Sequence, residues 1–175
     1  MNDFVYVLIL VFAATFNAIL AVYLYWFGYR IPSTRHRSAK YLAIVNLCVS
    51  TWVTAFTIYR FTEFWQQGYL WFNYPVALFV WIPVVFIPYF LIRFTLTLYN
   101  PNLDIRRYHF LKLPLFLVLA AIIIPGIGML DLSANALPRF GSFPSWIYII
   151  YMFSYTGMLT VLLARKFHNQ TGQKK

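Results

Sequence analysis

The sequence predicts an all-α, polytopic membrane protein: five transmembrane helices, N-terminus outside, C-terminus cytoplasmic, in one domain covering 1–175. Three observations predict it. Five apolar runs, at about 4–29, 41–59, 70–98, 111–130 and 145–163, fill most of the 175 residues. At a rise of about 1.5 Å per residue, each run reaches across a hydrocarbon core of ~30 Å. Hydrophobic residues make up 62% and charged residues only 10%, against roughly 25% charged in soluble domains. A soluble fold of this length has too little interior for so much apolar surface.

The third observation is where the charge falls. Arg30, Arg35, Arg37 and Lys40 follow the first run, Arg106, Arg107 and Lys112 flank the third loop, and Arg165, Lys166, Lys174 and Lys175 follow the fifth. The alternation of crossings puts all of these on one face. The other face holds only Arg60 and Arg139, together with Asp3, Glu63 and Asp131. Lysine and arginine accumulate on the cytoplasmic side, which sets the orientation. The net charge of +10 therefore needs no nucleic acid; anionic lipid headgroups suffice as partners.

The first run is too long for a secretory signal and is followed by Arg30 rather than a cleavage site, so it is a retained span. Tyr23, Tyr25, Trp26 and Tyr29 close it at the inner interface, where amphipathic rings settle. Ala14, Asn17 and Ala18 give it one small-residue face.

The second run carries a stripe of Ala43, Asn46, Ser50, Thr54 and Thr57 at steps of three and four, hence on one helical face. Small and hydroxylated residues let helices approach and bond across their interface. The stripe predicts docking of helices 1 and 2; its functional alternative is a polar lining for a ligand path. Arg60 and Glu63, three residues apart, form an exposed pair of little energetic worth. Tyr59, Trp65, Tyr69, Trp71 and Tyr74 crowd the outer interface as a belt or as an outward-facing aromatic pocket.

In the third run Pro83 and Pro88 each remove a backbone donor and crowd the preceding turn, which makes them candidate hinges. Arg93 is the one charge well inside a run. It sits about one and a half turns from the inner end, within snorkelling reach, so a headgroup or carbonyl bond competes with a ligand contact. The fourth run has Pro114 in its first turn, where a missing donor costs little, and Pro125-Gly126-Ile127-Gly128 ends or breaks it. Segment 131–145 is too long for a tight turn and lies on the membrane surface or caps a pocket. Trp146 and Tyr148 open the fifth run at the outer interface.

Absent features narrow the function. No lysine lies well inside a run, Lys112 standing at the mouth of the fourth, and His36, His109 and His168 fall in inner loops or flanks, so neither a retinal Schiff base nor paired haem ligation is supported. Cys48 is alone, so no disulfide or thiol metal cluster is expected. No buried carboxylate suggests a proton relay, and no nucleophile elbow, zincin helix or phosphate loop is present. The expectation is a protein that is not an enzyme, with no cofactor and no metal.

The order of features resembles the N-terminal seven-helix membrane region found ahead of bacterial histidine kinases and diguanylate cyclases. The residues that carry it are the basic loop Ile31-Pro-Ser-Thr-Arg-His-Arg-Ser-Ala-Lys40 and the third helix, Trp81-Ile-Pro-Val-Val-Phe-Ile-Pro-Tyr-Phe-Leu-Ile-Arg93. To these are added the outer Pro138-Arg-Phe-Gly-Ser-Phe-Pro-Ser-Trp-Ile-Tyr148 and the tail Arg165-Lys-Phe-His-Asn-Gln-Thr-Gly172. The resemblance covers essentially the whole chain but rests on residue types, so no family site residue is carried over. Helices 6 and 7 and any kinase or cyclase are missing, and no histidine here is followed by an acidic residue. The chain is then either a fragment or a stand-alone five-helix protein whose output passes through a partner.

The resemblance implies a signal-input (sensor) domain of a receptor in the bacterial inner (plasma) membrane, feeding a cytoplasmic kinase or cyclase of the two-component type. The alternative is a non-catalytic accessory or structural subunit of a larger membrane complex, with a homo-oligomer compatible with either; a pore component is a weaker third reading. Candidate ligand contacts are Asn46, Ser50, Thr54, Trp81 and Arg93, with Pro83 and Pro88 as hinge residues.

Overall fold

A computed structural model describes residues 3–30, 33–65, 70–99, 105–124 and 143–172. Among them are five α-helices: α1 (Asp3–Arg30), α2 (Ser33–Trp65), α3 (Leu70–Tyr99), α4 (Lys112–Ile123) and α5 (Phe143–Gly172), with a 3-10 stretch, Ile105–Leu111, leading into α4. Apolar runs become helices here because hydrocarbon offers the backbone no hydrogen bonds, and a helix satisfies them internally. By length and composition four helices are able to cross a bilayer: Val5–Gly28, His36–Ile58, Pro75–Tyr99 and Ser145–Arg165. The protein is an all-α, multi-span membrane domain.

One expectation from the sequence needs correction. The basic loop at 31–40 is helical from Ser33 onward, so α1 and α2 form a tight hairpin and the second span begins at His36. Pro32, just before the helix, is suited to such a start because its missing N–H would be unpaired there anyway. The break expected at Pro125 in the fourth run is found. α4 stops at Ile123, and Ile124 is extended, with ψ of 112°. Pro125 explains the stop, since the residue before a proline is pushed out of the helical region. The apolar helical stretch Tyr108–Ile123 is accordingly shorter than the other four.

α1 packs against α2 in antiparallel fashion. Ser50 Oγ donates to the Ala14 carbonyl across 2.8 Å, and near the turn His36 Nδ1 donates to the Gly28 carbonyl. A Cβ on Gly28 would stand 3.3 Å from Ala39 Cβ, so the glycine lets the two backbones close up. α2 and α3 are also antiparallel. Tyr41 stacks on Phe90 at 6.2 Å near one end, and Ser50, Thr54 and Ile58 share a groove with Val76 and Phe79 toward the other.

A cluster of buried apolar side chains lies among α3, α4 and α5. Val85, Ile92 and Ile122 are fully buried there, with Leu115, Val118, Tyr151 and Tyr155. α1 stays peripheral, and most of its large apolar side chains, Phe12 and Val22 among them, face outward as lipid-facing residues should. α3 and α5 run parallel. Trp81 meets Tyr148 edge-on at 5.7 Å, and Val85, four residues on, meets Tyr151, three residues on.

Candidate functional site

The tyrosines of α5 form the first candidate site. Tyr148, Tyr151 and Tyr155 are spaced three and four residues apart, so one face of the helix presents all three to its neighbours. Tyr151 donates its hydroxyl hydrogen to the Val85 carbonyl of α3 across 2.7 Å. Tyr155 donates to the Leu111 carbonyl at the entry to α4. The two rings lie 4.3 Å apart between centroids. One helix thus holds both of its partners through hydroxyl groups one turn apart.

The Val85 bond falls inside the stretch bounded by Pro83 and Pro88, both buried in α3. Pro88 has no N–H for the Val84 carbonyl, so the helix is weakest in the turn where Tyr151 attaches. α3 nevertheless continues as one helix through both prolines and through Pro75, a third proline that the hydropathy pattern does not single out. Tyr151 bonds the adjacent Val85 carbonyl rather than the freed Val84 one, and so tethers this turn to α5.

Arg93 forms the second candidate site. Its side chain is only 8% exposed. Nη1 donates to the Tyr41 hydroxyl of α2 at 3.4 Å, a long bond, and Cζ lies 5.0 Å from the centre of the Tyr89 ring one turn earlier on α3. Nε and Nη2 are enclosed, with no hydrogen-bond partner among the described residues. Thr97 Oγ1 bonds the carbonyls of Arg93 and Phe94 at 2.9 and 3.0 Å, which keeps that hydroxyl on the backbone and away from the guanidinium. The arginine therefore does not snorkel out of the bundle, and its bond is to a phenol rather than to a carbonyl.

The five candidate ligand contacts are not brought together. Asn46 spends its amide on the Leu42 carbonyl of its own helix at 2.9 Å, and Ser50 is used between α1 and α2. Thr51 and Thr57 likewise bond back to Leu47 and Val53. Thr54 lines the shallow apolar groove between α2 and α3, Trp81 packs on Tyr148, and Arg93 stands apart from all of these. The stripe thus serves packing and local backbone bonds. At the C-terminal end of α1, Arg30 sits over the Trp26 ring at 3.8 Å and Lys40 over Tyr25 at 5.7 Å, as cations and aromatic rings do. The side chains at 59–74, the Arg60–Glu63 pair and the outer aromatic residues among them, and the segment 131–142 lie outside the described residues.

Sequence reasoning missed Tyr41, Tyr89, Tyr151 and Tyr155, having assigned aromatic residues to interfacial belts. The signal was there for α5: three tyrosines on one face of a span make a stripe, whereas a belt clusters at the ends. Among the described residues no three His, Cys, Asp or Glu side chains converge on a metal-sized site. No protein-family model, curated protein or solved structure matches the chain.

Proposed function

We propose that this chain is a membrane-embedded signal-input domain of a bacterial inner-membrane receptor, passing an outer-leaflet or extracellular signal to a cytoplasmic output through α5. The observation that carries the reading is the Tyr151 bond to Val85, which ties α5 to the proline-bounded turn of α3. A signal that favours one bend of α3 then favours one position of α5. Such a switch requires two packings of one bundle separated by a few kcal/mol. The resemblance to the membrane regions of histidine kinases and diguanylate cyclases supports an output of that class, in cis or through a partner, with no reaction catalysed by the helices.

The proposed topology is five crossings with the N-terminus outside. The parallel register of α3 and α5 supports it, because the chain must return across the bundle between residues 99 and 143. The charge distribution supports it equally. With four crossings, Arg165 and Lys166 would lie opposite Arg37 and Lys40, against the bias of cytoplasmic loops.

Spin labels on Leu47→Cys and Val161→Cys in a Cys48→Ala background test the switch. Both positions are exposed on the helix surface. In bilayers two distance populations are expected, and converting Pro83 and Pro88 together to alanine should shift their ratio toward one. A single population indifferent to both prolines contradicts the reading. A single population with a stoichiometric co-purifying membrane protein is what the accessory-subunit alternative predicts.

A further inference from the structure

One face of α1 carries an apolar stripe that ends in a cation. Ile19, Tyr23, Trp26 and Arg30 follow one another at steps of four, three and four residues, so they share that face. The opposite face meets α2, where Ala21 is buried and Gly28 closes on Ala39. Ile19 and Val22 are instead 64% and 70% exposed. With Ala18 and the rings of Tyr23 and Trp26 they line a shallow concavity of about 480 Å³. Its aromatic walls are braced. Tyr23 stacks on Phe27 at 5.6 Å, and the Arg30 guanidinium covers Trp26 at 3.8 Å.

Length and depth select the occupant. Ala18 and Trp26 are eight residues apart on α1, about 12 Å of helix, close to the ~15 Å that one leaflet contributes to a hydrocarbon core of ~30 Å. The apolar span ends at Gly28, so Arg30 stands where hydrocarbon gives way to headgroups. Arg30 is exposed. A guanidinium stacked face-on against a ring keeps its N–H donors in its own plane, free for an oxyanion.

Charge separates this occupant from a second copy of the chain. Copies inserted alike run parallel, which sets Arg30 beside Arg30, and like charges so placed repel. A phosphate neutralises the same charge. The acidic residues of the described helices, Asp3 and Glu63, both stand at the end of the α1–α2 hairpin away from Arg30. Asp104 and Asp131 lie outside the described residues and enter the test.

We propose that this face of α1 binds an anionic phospholipid of the leaflet at its C-terminal end. One acyl chain lies in the concavity from Trp26 to Ala18, and the phosphate sits on Arg30. The proposal does not rest on the signal-input reading and survives its failure.

The test is native mass spectrometry of the full chain, titrated separately with dioleoyl phosphatidylglycerol, dioleoyl phosphatidylcholine and inorganic phosphate. The wild type should retain one phosphatidylglycerol in preference to phosphatidylcholine. Arg30→Gln should weaken that retention about fivefold, the worth of one cation at an anionic surface, and Arg30→Lys should restore most of it. Val22→Trp fills the concavity from an exposed position and should weaken retention about twofold. Arg165→Gln, which removes a cation from α5, and Asp104→Asn should leave it unchanged. If Arg165→Gln weakens retention as much as Arg30→Gln does, charge acts without a site and the proposal is wrong. It is equally wrong if the two lipids are retained alike, or if inorganic phosphate binds and the lipid does not. A lipid-free dimer that Val22→Trp disrupts would give the face to a second copy instead. Lipid binding created by Asp104→Asn or Asp131→Asn, and absent from the wild type, would give Arg30 to a carboxylate of the chain; either result overturns the proposal.

Discussion

Ile122→Ala is expected to destabilise the bundle by about 2 kcal/mol, near the low end for such truncations, while Phe153→Ala changes it by less than about 0.5 kcal/mol. Ile122 is 0% exposed and sits between α3 and α5; Phe153 is 76% exposed on α5. In a bilayer the transfer part of the cost falls away, because lipid tails are as apolar as the side chain. What remains is the cavity, whose walls forgo the dispersion attraction that the isoleucine supplied. Unfolding titrations in bicelles, followed by tryptophan fluorescence, measure both variants. Equal losses at the two positions would mean that Ile122 faces lipid and that α4 is not packed into the bundle.

Removing both hydroxyls of the α5 pair should have a comparable effect with a different signature. Tyr151→Phe and Tyr155→Phe each delete one interhelical hydrogen bond, at about 1 kcal/mol apiece. Each also leaves a buried carbonyl, of Val85 or Leu111, without that donor. The double variant should lose about 2 kcal/mol, with departures from additivity expected for touching groups, since the rings lie 4.3 Å apart. Phenylalanine keeps the ring packing, so the fold survives while α5 loosens from α3. Spin labels on Val161→Cys and Phe79→Cys should report a broader α3–α5 distance in the double variant than in the wild type. An unchanged width would remove the hydroxyls from the mechanical link.

The membrane class was legible because lipid imposes one rule on every span, and length and apolarity suffice to apply it. The docking of α1 and α2 was legible too. Ser50 and Ala14 sit on the small-residue stripes that the spacing marked, and they bond across that interface. Helix ends were less so. The basic charges at 33–40 looked like a loop, yet a helix tolerates charged residues wherever its end stands in water or headgroups. The stop before Pro125 was the exception, because a proline pushes the residue before it out of the helical region, as Ile124 shows.

The candidate site was the least legible part. Asn46, Ser50 and Thr54 drew attention because polar residues stand out in apolar runs, yet Asn46 and Ser50 spend their donors on nearby carbonyls. Tyrosine is ambiguous by nature, at home both in an interfacial belt and in a core that offers its hydroxyl an acceptor. Tyr151 and Tyr155 found acceptors in α3 and at the entry to α4, and no local pattern announces where those carbonyls will be. Arg93 was conspicuous in sequence, but its contacts with Tyr41 and Tyr89 depend on how α2 meets α3.

The central claim is a bundle in which α3 and α5 run the same way, so that the start of α2, the start of α4 and the end of α5 share one side of the bilayer. Single cysteines at Arg37, His109 and Arg165 in a Cys48→Ala background, probed with a membrane-impermeant maleimide in intact and permeabilised cells, test it most directly. The account predicts that all three label only after permeabilisation. Labelling of the Arg165 site in intact cells, with the Arg37 site still protected, would contradict it.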